Sequence, residues 1–336
     1  MIIPFFIPHS GCPHQCVFCN QKNITGRQAP VRPETIARTI VDYCQTRTQQ
    51  EPVQIAFYGG SFTALPREEQ KAYLEAAQPF IRSGMIECIR LSTRPDYINQ
   101  DILSLLKAHH VRIVELGAQT LNDEVLIRSG RGHTATDTIH AVKLLKEYGF
   151  IVGLQLMIGL PGDSASSFAN TVSGIIDLKP DFVRIYPTLV IAQTPLEELY
   201  KRDQYIPLSL DEAVSLSREA LERFSQAGID VIRIGLQPTE ELEAPGTILA
   251  GPFHPAFREL VASSLLLDKM RGLLLNRIDV TEEVTFAVHP ADISAAIGQH
   301  RSNITILKKE FGIQEIHIKA GINVPRKKGP VLVSVS

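Results

Sequence analysis

Three cysteines fall within one short run, Gly11-Cys12-Pro13-His14-Gln15-Cys16-Val17-Phe18-Cys19-Asn20. This C-x3-C-x2-C loop comes directly after the apolar run Ile2 to Ile7. Three thiolates clustered this closely can reach three corners of a cuboidal 4Fe-4S cluster, whose usual complement is four cysteines. One iron is then left open. An open coordination position marks a catalytic rather than a structural metal site, because something other than protein must bind there. A structural zinc site wants four ligands, usually as two separated pairs, and His14 would have to complete the set from a cramped position. A disulfide framework is poorly served by five cysteines in 336 residues with no secretory signal ahead of them. Against the last alternative, three ordinary thiols, the residues favour iron and sulfur.

Outward from that loop the chain alternates strand-like runs with amphipathic helices. Ile2 to Ile7 is the first strand, and Pro33 at a helix start opens a segment reaching about Thr48. Val53 to Tyr58 is a short apolar run stopped by Gly59-Gly60, followed by a helix over Arg67 to Arg82 and a strand over Ile86 to Leu91. Gln100 to His109 reads as a helix and Val111 to Leu116 as a strand ending at Gly117, while Ile139, Val142, Leu145 and Tyr148 recur at helical spacing. The strand Ile151 to Ile158 stops at Gly159-Leu160-Pro161-Gly162; a helix over Ser164 to Leu178 and the strand Phe182 to Tyr186 complete a sixth unit.

Repeated βα units with almost continuously apolar strands imply a parallel sheet covered by helices. Gly59-Gly60-Ser61, Ser92-Thr93-Arg94, Gln119, Gly159 and Tyr186 all fall at C-terminal strand ends, the active-site rim of a βα barrel. The expected fold class is therefore α/β. It consists of a partial (βα)6 barrel over 1–236, open on one side, a linker and helical segment over 237–278, and a small α/β domain over 279–336.

Composition narrows the classes further. At 336 residues and 44% hydrophobic content the chain can bury a large core. Its 34 basic residues nearly balance 36 acidic ones, so no global field draws it to nucleic acid or membrane, although local patches remain open. The apolar runs are strand-sized and none approaches the ~18 residues of a membrane span. Met1-Ile2-Ile3-Pro4 lacks the charged start and cleavage site of a signal peptide, so a cytoplasmic enzyme is expected, in a reducing compartment that suits an oxygen-sensitive cluster. Cys44 and Cys88 sit in a predicted helix and strand and read as small buried hydrophobes, not as a fourth ligand.

The cysteine loop resembles that of the radical S-adenosylmethionine (SAM) superfamily, in which the amino and carboxylate groups of SAM occupy the open iron. Electron transfer from the reduced cluster then splits the sulfonium bond and yields a 5′-deoxyadenosyl radical. The resemblance implies a 4Fe-4S cluster on Cys12, Cys16 and Cys19, SAM as cofactor, and an electron donor such as ferredoxin or flavodoxin. From Val111 to about Val214 the likeness is closer. The runs Val114-Glu115-Leu116-Gly117-Ala118-Gln119-Thr120, Arg131-Gly132-His133-Thr134, Ile158-Gly159-Leu160-Pro161-Gly162 and Arg184-Ile185-Tyr186-Pro187-Thr188-Leu189-Val190 are similar to the radical SAM domain of the Elongator catalytic subunit. So are Gly59-Gly60-Ser61-Phe62 and Thr93-Arg94-Pro95-Asp96-Tyr97. That family acts on the wobble uridine of transfer RNA, pairing radical chemistry with an acetyl-coenzyme A domain. Here the first cysteine gap is three residues, shorter than the Elongator pattern, and nothing after Pro238 resembles an acetyltransferase domain. The Elongator reaction as a whole is therefore not implied.

Carried over residue by residue, the resemblance puts the Phe18 ring near the adenine. It has Gly59-Gly60-Ser61 receive the SAM amino group through backbone carbonyls, a close approach that only Gly allows without a Cβ clash. A plain strand-end turn is the bland alternative. Arg94 and Arg131 each match the SAM carboxylate through a bidentate fork, or else are solvated arginines; the resemblance puts Arg131 ahead. Gln119, on an otherwise apolar strand, hydrogen-bonds the ribose or is a satisfied polar residue inside the barrel. Tyr186 faces the substrate or caps the core.

Past the barrel, Ser209-Leu210-Asp211-Glu212 starts a helix with Ala213, Ala220 and Phe224 on one face, and Ile229 to Ile234 follows as a strand. In the tail, Glu283 to Val288 reads as a strand, Ala291 to Ile297 and Asn303 to Phe311 as helices, and Glu315 to Lys319 as a strand. Between the helices, Ile297-Gly298-Gln299-His300-Arg301-Ser302-Asn303-Ile304 resembles the I-G-x-x-G-x-x-I segment of KH RNA-binding domains, with Arg301 in place of the second glycine. From Arg301 to Lys328 there are seven Lys or Arg against two Glu, a net of plus five, the local charge that phosphate contact needs. Solvated lysines on a packing module are the alternative. The reading that unites these features is radical modification of an RNA nucleoside, in transfer RNA first of all, with the KH-like tail contacting RNA and no membrane partner. Two rivals stand beside it: a radical SAM enzyme acting on a small metabolite or peptide, and a non-catalytic iron-sulfur RNA-binding protein.

Overall fold

A computed structural model of the chain describes residues 1–21, 24, 29, 31–45, 52–275, 282–325 and 329–335. Two compact units emerge, Met1–Ser209 with Ile229–Phe253, and Leu210–Gly228 with His254–Ser336.

The first unit begins with β1 (Ile2–Phe6), α1 (Pro33–Gln45), β2 (Gln54–Tyr58), α2 (Arg67–Arg82), β3 (Cys88–Thr93), α3 (Gln100–Ala108) and β4 (Val111–Gln119). It continues through α4 (Asp123–Arg128), α5 (Ala135–Glu147), β5 (Ile151–Ile158), α6 (Ala165–Leu178), β6 (Phe182–Pro187), β7 (Val190–Ile191) and α7 (Pro195–Lys201). After α8 (Leu210–Gln226), which belongs to the second unit, the first is completed by β8 (Asp230–Ile234), α9 (Glu240–Glu243) and β9 (Ile248–Ala250). Side-chain caps turn strand exits into helix starts: Asn99 accepts from Ile102 N, Asn122 from Glu124 N and Val125 N, and Thr134 with Asp137 and Ser164 with Ser167 form capping boxes.

Seven strands pair in the order β1-β2-β3-β4-β5-β6-β8, every neighbouring pair parallel. This is the α/β partial barrel expected, with one strand more than the six counted from sequence. Asp230–Ile234 joins the sheet beside β6, Phe182 facing Asp230 and Ile185 facing Ile234. The core strands carry buried Val114, Leu116, Leu154, Leu156, Val183 and Ile185. β4 runs three residues beyond Leu116, and its pairing with β5 is irregular between Leu116 and Gln119. Such a bulge re-aims side chains at a sheet rim. The segment after Gln45 up to Glu51, where the first predicted helix was drawn to end, lies outside the described residues. Cys88 is buried as expected, whereas Cys44 is only half-buried on α1.

The second unit adds α10 (Phe257–Leu275), β10 (Glu283–Val288), α11 (Ile293–Ile297), α12 (Ser302–Phe311), β11 (Glu315–Ala320) and β12 (Val331–Val335). Its sheet has the order β11-β10-β12, with β10 parallel to β11 and antiparallel to β12. Met270 and Leu274 of α10, Phe286 and Val288 of β10, and Ile304 and Leu307 of α12 share one core. Where the sequence reading ran a linker and helical segment from 237 to 278, residues 237–253 group with the barrel and α10 supplies core to the C-terminal sheet. Residues 276–278, and Arg326, Lys327 and Lys328 of the basic tail, lie outside the described residues.

Candidate active site

The cysteine loop leaves β1 and packs backbone against backbone on the segment that leaves β2. A Cβ on Gly60 would stand 2.3 Å from the carbonyl oxygen of Ser10 and 2.5 Å from that of Ile7. A Cβ on Gly11, whose φ is +70°, would stand 2.3 Å from the carbonyl oxygen of Ser61. Ser61 N closes the contact by donating to Ser10 O at 2.9 Å. Only glycine permits such an approach. Of the two glycines expected to serve a cofactor, Gly60 thus also makes room for the loop, while the nearest atoms to a Cβ on Gly59 lie 3.6 Å away.

Cys12, Cys16 and Cys19 line one end of a cavity of about 690 Å³. Arg131 donates Nη1 to Cys16 Sγ at 3.1 Å and Nη2 to Gly117 O at 2.5 Å. Burial, then the neighbouring Cys16, push the Cys12 thiol up, and burial followed by Cys16 and Cys12 pushes Cys19 up to about 12; Arg131 pulls both down. Thiols that crowd one another in this way stay protonated until a cation of their own reverses the balance, because a bound metal deprotonates its sulfur ligands. Among the described residues no three His, Cys, Asp or Glu side chains are arranged to hold a single metal ion. A cuboidal cluster instead spreads three thiolates over three irons. The donor set fits a 4Fe-4S cluster.

The other sequence-derived residues converge on the same space. Phe18, Gly59, Gly60, Ser61, Arg94, Gln119, Arg131 and Tyr186 all line the cavity with the three cysteines. Ser61 Oγ lies 3.2 Å from Thr93 Oγ1 and accepts from Arg94 N at 3.2 Å, so its hydroxyl ties the ends of β2 and β3 together. The Arg94 fork is held by Asp96, Nε to Oδ1 at 2.9 Å and Nη2 to Oδ2 at 2.8 Å. Gln119 has a left-handed φ of +65°, a strained backbone at the end of β4 of the kind that collects at functional sites. Phe18 and Tyr186 pack against one apolar cluster, Val125, Met157 and Leu160. Behind Arg131, the ring of His133 sits 3.3 Å from Ala118 O and is driven down to about 4 by burial, then by Arg131 and Arg94.

Sequence reasoning missed a polar layer deeper in the barrel. Glu115 of β4 has no exposed surface. It accepts from Arg90 Nη2 at 2.6 Å and from Tyr58 Oη at 3.0 Å, and its Oε2 lies 2.7 Å from Arg184 Nε. Gln155 Nε2 donates to it at 3.3 Å and to Ser92 Oγ at 3.1 Å. The signal was present in the strands: Arg90 and Ser92, Glu115, Gln155, Arg184 and Tyr186, and Arg233 interrupt apolar runs, at period two where they recur, and successive side chains of a strand alternate faces.

Comparison with known proteins agrees with this geometry. Residues 6–175 match the radical SAM superfamily and residues 180–266 the radical SAM C-terminal domain. The chain is 33% identical over 247 residues to the tRNA uridine(34) acetyltransferase of Methanocaldococcus jannaschii, covering 61% of this chain and 45% of that one. It is 26% identical over 255 residues to Elongator complex protein 3 of Bos taurus, covering 62% and 46%. Against the solved structure of archaeal Methanocaldococcus infernus Elp3 with an N-terminal deletion, the TM-score is 0.61 at 24% identity, over 81% of this chain and 63% of that one. The chain thus spans about half the length of these two curated relatives.

Proposed function

The chain belongs to the radical SAM superfamily, and from that premise we propose that it modifies a nucleoside of transfer RNA. It is an enzyme that uses a 4Fe-4S cluster and SAM. Bound together, these supply one-electron cleavage of a carbon–sulfur bond and a radical that takes hydrogen from a substrate. Cys12, Cys16 and Cys19 would hold the cluster, leaving a position on it for SAM. Gly59, Gly60 and Ser61 would present backbone to the amino group, and Arg94, steadied by Asp96, and Arg131 would serve the carboxylate. Gln119 meets the ribose, Phe18 the adenine, and Tyr186 the substrate. An electron donor such as ferredoxin or flavodoxin completes the set of partners.

The observation that carries the choice of substrate is the 33% identity to a tRNA uridine(34) acetyltransferase. The alignment takes in 45% of that relative, so the nucleoside class is carried over and acetyl transfer is not. The loop between α11 and α12 supports the reading. Arg301, at the place of the second KH glycine, holds a φ of +62°, so the turn keeps a glycine-like backbone and adds a cation for phosphate. No helix among the described residues is long and apolar enough to cross a membrane.

Nucleoside mass spectrometry of transfer RNA from a deletion strain tests the reading. Loss of one modified nucleoside is expected, and an unchanged profile rejects it. Filter binding of tRNA across a salt series separates it from the small-metabolite reading, because phosphate contacts give a negative salt slope.

A further inference from the structure

Among the described residues lining the barrel cavity are four arginines, Arg94, Arg131, Arg184 and Arg233, and no carboxylate. The first two are tied to the cofactor end, Arg94 by Asp96 and Arg131 by Cys16. The other two stand side by side on adjacent parallel strands, because Arg184 of β6 is the register partner of Arg233 of β8. Like charges placed opposite one another on neighbouring strands repel. Beneath them Glu115 supplies one carboxylate, and Arg184 already shares it with Arg90. Arg90, Arg184 and Arg233 against Glu115 leave two positive charges in excess. Arg233 donates to the neutral amide oxygen of Gln237 at 3.0 Å, which does not offset its charge. Positive charge facing a low-dielectric cavity draws in an anion, and a guanidinium fork matches carboxylate and phosphate alike.

We propose that Arg184 and Arg233 form an anion subsite on the β6–β8 side of the cavity, taking the terminal carboxylate or phosphate of a small-molecule co-substrate that binds beside the nucleoside. Arg184 is 9% exposed. A terminal anionic group can reach it, whereas a polynucleotide carries each phosphate between two nucleosides and needs an open path on both sides. Tyr58 Oη, which accepts from Arg184 Nη2 at 3.2 Å, adds a neutral partner at the same point. The subsite goes beyond the transfer RNA reading and does not depend on which nucleoside is modified.

Equilibrium dialysis of labelled inorganic phosphate and of labelled succinate tests it, using the anaerobic, cluster-loaded, SAM-saturated protein without tRNA. One saturable site per chain is expected for at least one anion, and the preference identifies the group. Affinity should fall about ten-fold or more in Arg233→Met, the worth of a charge-assisted contact. It should be unchanged in Arg202→Met, a surface arginine paired with Glu198. Arg233→Lys keeps the charge without the fork and should bind at an intermediate level, which separates lost recognition from lost folding. The absence of a saturable site, or equal binding in Arg233→Met, overturns the proposal. So does binding that appears only when the dialysis is repeated without SAM, because the arginines would then serve the cofactor's own carboxylate. With no RNA in the assay, failure of the transfer RNA reading leaves this result untouched.

Discussion

Arg131 joins the cysteine loop to the end of β4 by donating to Cys16 Sγ at 3.1 Å while its other nitrogen holds Gly117 O. That contact fixes the sulfur's position before any metal arrives. Partners that orient a ligand in this way typically influence metal retention about 10–100-fold. Arg131→Met is therefore expected to lose iron to a chelator about that much more readily, read as iron and sulfide content after anaerobic reconstitution. Cys16→Ala should fail to assemble the cluster at all while keeping a folded barrel by circular dichroism. Full iron in the cysteine variant would remove it from the ligand set.

Gly60→Ala places a methyl group against two backbone carbonyls, which have no rotamer by which to yield. Overpacking of this kind costs roughly 1–3 kcal/mol. A lower urea midpoint is expected, accompanied by poor cluster loading because the loop is displaced. An unchanged midpoint would mean that the loop does not rest on this glycine.

Glu115 is the common acceptor for Arg90 and Arg184 inside the barrel. Its removal strands two buried cations, and breaking a buried pair from one side costs about 3–5 kcal/mol. Glu115→Ala should lose stability on that scale in denaturant titration. Glu115→Ala combined with Arg184→Met should recover part of it, since the second change removes one stranded charge; no recovery would show that the pair is not coupled.

His133 titrates near 4 in the folded chain because burial, then Arg131 and Arg94, disfavour its cation, against an ordinary value of 6.5. The unfolded chain therefore binds the proton first as pH falls. Stability attributable to this ring is complete above pH 6.5 and is lost progressively on the way down to about 4, by up to roughly 3 kcal/mol. His133→Gln is expected to flatten the stability profile relative to the parent protein between those limits. Parallel profiles would place the acid sensitivity elsewhere.

The parts legible in the sequence were those written in consecutive residues. The three cysteines, the glycine pair after β2 and the strand-ending residues announced themselves by type and spacing, and all of these except Gly159 line the same cavity. Other features needed neighbours that spacing does not name. Val142 and Leu145 of the helical repeat drawn from the sequence are buried, but Ile139 is 46% exposed, and α5 buries Thr138 and Ala141 in its place. A helical period identifies a stripe, not which edge of that stripe meets the sheet. Ile229 to Ile234 reads as a strand, yet only the hydrogen bonds of β8 to β6 make it part of the barrel. The second task of Gly60, making room for the carbonyls of Ser10 and Ile7, is set by residues some fifty positions earlier in the chain.

By itself the sequence determined the cysteine loop and the alternation of strand and helix, because ligand spacing and apolar periodicity are properties of a few adjacent residues. Tertiary structure alone decided how the interior polar groups meet. Arg90 and Arg184 reach Glu115 across 25 and 69 residues of chain, and Arg184 lies beside Arg233 only through the register of β6 with β8. Register is set by the packing of whole strands, so no local pattern encodes which of two buried charges will share a carboxylate.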